Sequence, residues 1–220
     1  EPAVETVKSL GDNEGNVDTV VGDASDPDVA RSLVETAIEK FDCLDIIVNN
    51  VGIAGPTKPC EEISNDKLMN TLEINIGSAF HLAKAAIPEF KQQKSGYIIN
   101  ISSISGKRPL RNRTPYTISK MGIIGFTRTL ALELGEYGVN VNAICPGSVE
   151  GPRLDSVIKK QAESQGRPVE EVRTEFQKVS AKNNFVDPND IADTVLYLCS
   201  ERAKNVTGQD LNVSAGVVMY

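Results

Sequence analysis

Tyr116 and Lys120 stand four residues apart, a spacing that puts both side chains on one face of a helix. Just ahead of them, Thr114 and Pro115 read as an N-cap and a first helical residue. That places the Tyr116 phenol in the first turn, where the helix dipole favours negative charge. A nearby ammonium adds to the bias, so the spacing predicts a phenol able to give and take a proton near neutral pH. Ser103 ends the apolar run Tyr97 to Ile101 and would be delivered from a strand tip to the same place. Alone, tyrosine and lysine at this spacing also suit an ordinary exposed helix face; the serine thirteen residues upstream, with the strand-end residues below, is what sets the pair apart.

The elements that must hold these residues can be read in order. Glu1 to Leu10 suggests the tail of a helix, Gly11 to Gly15 a loop, and Asn16 to Val21 a short strand that ends at Gly22, Asp23 and Ala24. Asp26 and Pro27 give a cap-then-proline start to a helix with an apolar stripe at Val29, Leu33, Ala37 and Phe41. Leu44 to Val48 has the length and composition of a buried parallel strand and stops at Asn49, Asn50 and Gly52. Ser64 caps a long helix predicted to run past Pro88 to Gln93, with Asn75 inside it and Gly96 closing it. The Tyr116 helix should extend to about Glu136, its Gly122, Gly125 and Ala131 allowing close packing. Val139 to Cys145 then forms a strand that ends at Pro146 and Gly147. The polar stretch 148–186 reads as a flap with one or two short helices, Asp187 and Pro188 start a further helix, and Gln209 to Val213 is the last strand.

Strand and helix alternate throughout, which predicts an α/β fold with a parallel, doubly wound sheet and one domain over residues 1–220. Asp23, Asn49, Ser103 and Pro146 all fall just past the C-terminal ends of strands, the edge at which open α/β sheets bind ligands.

Composition narrows the function classes. A net charge of −7 is a poor footprint for nucleic acid. Four dispersed cysteines without a CxxC, and one histidine, indicate neither a metal site nor a disulfide framework; free thiols in a reducing compartment are the expectation. No apolar run approaches the roughly 20 residues of a membrane span. The chain reads as soluble and cytoplasmic, with no membrane or nucleic-acid partner.

Together the marks resemble those of the short-chain dehydrogenases/reductases: Asp23, the turn Asn49-Asn50-Val51-Gly52, Asn75, the strand end Asn100-Ile101-Ser102-Ser103, Tyr116 with Lys120, and Pro146-Gly147. The resemblance covers essentially the whole chain and implies a Rossmann-like sheet and hydride transfer between NAD or NADP and an alcohol or carbonyl carbon. It implies Tyr116 as general acid/base, Lys120 as its electrostatic partner and holder of the nicotinamide ribose, and Ser103, rather than Ser102 or Ser105, as donor to the substrate oxygen. Asn75 would hold a water that links Lys120 to solvent. Asp23 and Ala24 would meet the adenine, while Asn50, Gly52, Pro146, Gly147 and Val149 would line the cofactor. Asn49 would line it too, and for both Asn49 and Asn50 the competing role is to tie neighbouring strands together.

One family mark has no match here: the opening strand, glycine-rich turn and helix that bind a pyrophosphate. The expectation is that the 220 residues are part of a longer chain; the alternative is a catalytically silent relative acting as a binding or assembly subunit. Val51 replaces a usual alanine, and Ser148-Val149-Glu150 stands where a threonine often bonds the nicotinamide amide.

Between Ser103 and Tyr116 lie Lys107, Arg108, Arg111 and Arg113, four cations in an acidic chain. One of these arginines, or Arg153 in the flap, would pair with a carboxylate or sulfonate on a small substrate; the competing reading is a solvated or subunit-facing loop. The resemblance also implies a homotetramer or homodimer packed through the helices of Asn75 and Tyr116.

Overall fold

A computed structural model describes residues 17–220. Four parallel strands, β1 (Ile46–Asn49), β2 (Gly96–Ile101), β3 (Val139–Pro146) and β4 (Asp210–Val213), lie side by side in sequence order. The helices between them are α1 (Pro27–Phe41), α2 (Asn65–Leu72), α3 (Ser78–Gln93), α4 (Thr114–Leu134), α5 (Pro152–Gln165), α6 (Val169–Lys178) and α7 (Pro188–Leu198). Parallel neighbours require such crossovers, and the crossovers cover both faces of the sheet. Ile47, Ile98, Val139 and Val141 pack one face with Val34, Ala83, Ala86, Phe90 and Leu130 of α1, α3 and α4. Ile99 and Ile144 face the other way and meet Leu198 of α7. The expected doubly wound α/β sheet is present.

Several expectations need correction. The readings for Glu1 to Gly15 lie outside the described residues, as does Asn16. Residues 17–21 form no strand; β1 is hydrogen-bonded only to β2 among the described residues, so this segment has no ladder to join, and Val21 stands 81% exposed. For the same reason β1 is buried on one face only, with Ile46 and Val48 exposed. The helix from Ser64 is not a uniform α-helix: between α2 and α3 its turns widen to i→i+5 bonding over Glu73–Gly77. It closes on Lys94, in the left-handed region, before Gly96 is reached. Gly122 does admit a close neighbour, since a Cβ there would come 2.7 Å from Ile76, but Gly125 has open space beside it.

The stretch 148–186 holds two helices, α5 and α6, around a small core of Ile158, Ala162, Val172 and Phe185. One parallel bridge, Val149 to Val186, ties the two ends of the stretch together. Its N–H groups are paired there, Val186 N–H donating to Ser148 C=O and Glu150 N–H to Val186 C=O, both at 2.9 Å. Among the described residues no helix is long and apolar enough to cross a membrane, and no cluster of His, Cys, Asp and Glu could hold a metal.

Candidate active site

The C-terminal ends of β1, β2 and β3 open into a cavity of about 620 Å³, within the size range of small-molecule sites. Asn50, Gly52, Ser103, Tyr116, Lys120, Pro146, Gly147 and Val149 line it, together with Arg113 and Arg153.

Each of the three chemically central side chains is set by its local structure. Ser103 follows β2 with an extended backbone and is buried; its Oγ accepts the Ser105 N–H at 3.1 Å. The hydroxyl proton is thereby left to donate into the cavity. Ser102 points elsewhere, donating its hydroxyl to the Lys120 carbonyl at 2.7 Å and tying the strand end to α4. The fit is close: a Cβ on Gly106 would lie 2.7 Å from that same carbonyl.

Tyr116 sits in the first turn of α4. Arg113, not Thr114, occupies the cap position and supplies no capping bond, since its side chain carries no acceptor. One turn on, Lys120 is 5% exposed. Its ammonium donates to Ile101 C=O at 2.8 Å and lies 5.9 Å from the Tyr116 ring centre. Burial, with the nearby Arg153 cation adding to it, pulls the Lys120 pKa down to about 8.

Asn75 is buried on the widened turn before α3. Its amide accepts the Ile53 N–H at 2.7 Å and donates to Ile53 C=O at 3.0 Å and to Ser119 Oγ at 2.9 Å. Gly52 fills the gap between Asn75 and Lys120: a Cβ there would come 3.2 Å from Asn75 Oδ1 and 3.5 Å from Lys120 Nζ. Asn49 lies just outside this cavity. It donates to Asn100 Oδ1 at 2.7 Å, and Asn100 donates in turn to Thr127 of α4 at 2.9 Å, so of its two expected roles the observed one is strand tying.

Asp23 is on the surface, away from this wall. Its carboxylate accepts the Ser25 hydroxyl at 2.7 Å and the Ser25 N–H at 2.9 Å, and these bonds hold its pKa below the usual carboxylate value. Ala24 borders a second, smaller cavity of about 180 Å³, which it shares with Asn49 and Asn50.

The four loop cations separate. Lys107 turns away from the cavity, donating to Asp210 Oδ2 at 2.6 Å and to the Asp210 and Tyr220 carbonyls. Arg128 of α4 meets the other oxygen of Asp210 at 2.7 Å. Arg108 and Arg111 are exposed and do not line the cavity, and Asn112, in the left-handed region at φ 61°, separates them from Arg113. Arg113 alone of the four comes in. Its Nη1 donates to Thr57 Oγ1 at 2.7 Å and its guanidinium lies 5.2 Å from the Tyr116 ring centre. The residues that sequence reasoning missed are the apolar ones, Leu110, Leu154, Val157 and Ile191; the Leu154 and Val157 spacing on α5 was the one signal for them.

Comparison with known proteins agrees with this geometry. A family model described as enoyl-(acyl carrier protein) reductase matches residues 1–218. The chain is 35% identical over 216 residues to L-rhamnose-1-dehydrogenase of Scheffersomyces stipitis, covering 98% of this chain and 80% of that protein. It superposes on a variant of actinorhodin polyketide ketoreductase solved with NADPH, with a TM-score of 0.91, 31% identity, and coverage of 99% of this chain and 84% of the other. For NAD+-bound xylitol dehydrogenase the TM-score is 0.87, with 26% identity over 97% of this chain and 85% of the other.

Proposed function

The chain belongs to the short-chain dehydrogenase/reductase family and is an NAD(P)-dependent oxidoreductase of that family, and on that premise we propose that it acts on a small polyol, hydroxy acid or keto compound. The observation that carries the reading is the convergence of Ser103, Tyr116 and Lys120 on one wall of a single cavity.

The residues present suit the nicotinamide end of NAD or NADP. Gly52 leaves beside Asn75 and Lys120 a space that any side chain would fill, and Pro146, Gly147 and Val149 continue the same wall. Asn50, Gly52, Lys120 and Tyr116 would hold the ribose, and Asp23 and Ala24 would lie toward the adenine. When bound, the nicotinamide supplies or accepts the hydride.

In reduction, the Ser103 hydroxyl donates to the substrate carbonyl oxygen and steadies the charge that develops there. The Tyr116 phenol gives that oxygen its proton. The Lys120 ammonium, fixed by Ile101 C=O, balances the charge left on the phenol oxygen. Asn75 braces Ile53 and Ser119 on either side, and a water held near it would return the proton from solvent. Oxidation runs through the same groups in reverse. Residues 148–186 would serve as the substrate flap of a single domain, and four free cysteines, two of them exposed, support a cytoplasmic location.

Replacing Tyr116 by phenylalanine removes only the hydroxyl. We expect turnover to fall by a factor on the order of 10³, with NAD(P) affinity, read by cofactor fluorescence, unchanged. A variant that turns over at the wild-type rate would overturn the mechanism.

The same reading includes a homodimer or homotetramer packed through α2, α3 and α4. Apolar side chains exposed on those helices support it: Met69, Phe80, Ile118 and Met121. Sedimentation showing monomer alone at micromolar concentration would contradict it.

A further inference from the structure

The cavity carries more positive charge than proton transfer uses. Arg113, Lys120 and Arg153 all line it, and Glu150 is the one carboxylate that does. Glu150 is mostly exposed and leans toward Arg173, 3.8 Å away, so it neutralises none of the three. Among the described residues neither Arg113 nor Arg153 has a carboxylate partner.

Arg113 is built into its place. It is half-buried, its Nη1 is held by Thr57 Oγ1, and its plane lies against the Tyr116 ring. Its Nε is buried with no hydrogen-bond partner, an arrangement that costs free energy unless an acceptor arrives. Burial lowers the pKa of the guanidinium, with Arg153 pressing the same way against the opposing influence of Tyr116. Arg153 presses on Lys120 too, so the three cations are close enough to feel one another. Like charges gathered in a partly dry pocket are unfavourable until an anion joins them.

We propose that Arg113 and Arg153 form the two sides of a carboxylate-binding subsite, so that the physiological substrate is a short-chain hydroxy or keto acid. The inference rests on the oxidoreductase reading above and specifies which substrate class that site takes. The planar fork of arginine matches a carboxylate with two parallel N–H···O bonds. Arg113 lies against the ring of the tyrosine that transfers the proton, which sets the carboxylate within a few bonds of the reacting carbon. Arg153 stands in the first turn of α5, one residue before Leu154 and four before Val157. One flap helix would therefore bring a charge to the acid group and an apolar surface to the carbon chain.

The test is isothermal titration of the protein, with saturating NAD+ or NADP+, against 2-hydroxybutanoate and 3-hydroxybutanoate and their methyl esters. At least one acid should bind ten-fold or more tightly than its ester. Arg113→Met and Arg153→Met should each remove most of that preference while leaving ester binding as it was. Arg153 is exposed, so its replacement does not endanger folding, and Arg113→Lys keeps a charge at the more buried position if Arg113→Met does not fold. Arg108→Met and Arg111→Met should change nothing. Acids that bind no better than esters, acids that do not bind, or a preference that survives Arg153→Met would each overturn the subsite. Failure of the parent reading looks different: acids would bind in an arginine-dependent way without any cofactor reduction. Turnover of neutral alcohols with no acid preference would sink the subsite and leave the oxidoreductase standing.

Discussion

Ser103, Tyr116 and Lys120 stand on a wall whose buried polar groups are bonded to one another, whereas Arg153, Leu154 and Val157 face them from a segment with a core of its own. On the first wall, Ser102 binds the Lys120 carbonyl, Lys120 binds the Ile101 carbonyl, and Asn75 binds both Ile53 and Ser119. Each bond ties one element to another, so none can shift without unpairing a buried group, which costs about 1–3 kcal/mol. On the second wall, four buried residues form a separate cluster, and a bridge from Val149 to Val186 closes the segment on itself. The loop from Lys107 to Arg113 repeats the contrast in miniature. Lys107 is locked to Asp210 behind the first wall, and Arg113 lines the cavity. Proton chemistry tolerates little movement and substrate choice tolerates more, and the two walls divide along that line.

Lys120→Met is the harder blow to that division. It keeps most of the length of the side chain and removes the charge, so kcat should fall by a factor of about 10² or more, while KM for the best substrate moves little. A rise in the substrate KM with kcat preserved would place Lys120 among the substrate-binding residues instead. Stability gives an independent reading, measured without cofactor. Burial lowers the Lys120 pKa in the folded state to about 8 from 10.5, so the charged form opposes folding. That penalty is fully present below pH 8, where the lysine is protonated both folded and unfolded. Between pH 8 and 10.5 the unfolded chain binds the extra proton, so stability rises with pH. Relative to Lys120→Met, the wild type should gain up to about 3 kcal/mol across that window, read by urea unfolding at a series of pH values. A flat difference would mean that the ammonium is better solvated than its burial implies.

Much of the first wall was legible in the sequence because its signals are local. Tyr116 and Lys120 share a helix face by spacing alone, and Ser103 is delivered by the end of an apolar run. The opposite fates of Lys107 and Arg113 were not legible, because they depend on where Asp210 and Thr57, distant in sequence, arrive in space. The widened turn at Glu73–Gly77 was hidden for a related reason. Its residues suit an ordinary helix, and what departs from one is the backbone bonding around the buried Asn75, whose amide is bound to Ile53 and Ser119. Residues 17–21 failed in the other direction: their composition suits a strand, but a strand exists only through a neighbour, and β1 offers them none among the described residues. The apolar lining from α5 carried a period but no chemistry, so only the folded chain assigns it to the site.

The second wall is broken most cleanly at Phe185. Its ring is 8% exposed, packs with Ile158, Ala162 and Val172, and lies 5.4 Å beneath the Arg173 guanidinium. Arg173 also binds Asp155 in the first turn of α5, so one ring and one cation hold both flap helices. Phe185→Ala should cost about 3–5 kcal/mol of packing. If the flap core is separate from the main one, that loss falls on the flap: amide exchange should quicken across 152–178 and stay unchanged in β2 and β3. Arg153 would then be presented less often, raising KM by roughly ten-fold, a loss of about 1.4 kcal/mol, with kcat within about threefold of wild type. The two readouts constrain each other. Faster exchange throughout β2 and β3, or a fall in kcat as large as the rise in KM, would mean that the flap and the Tyr116 wall open as one unit, and the division of labour between them would have to be abandoned.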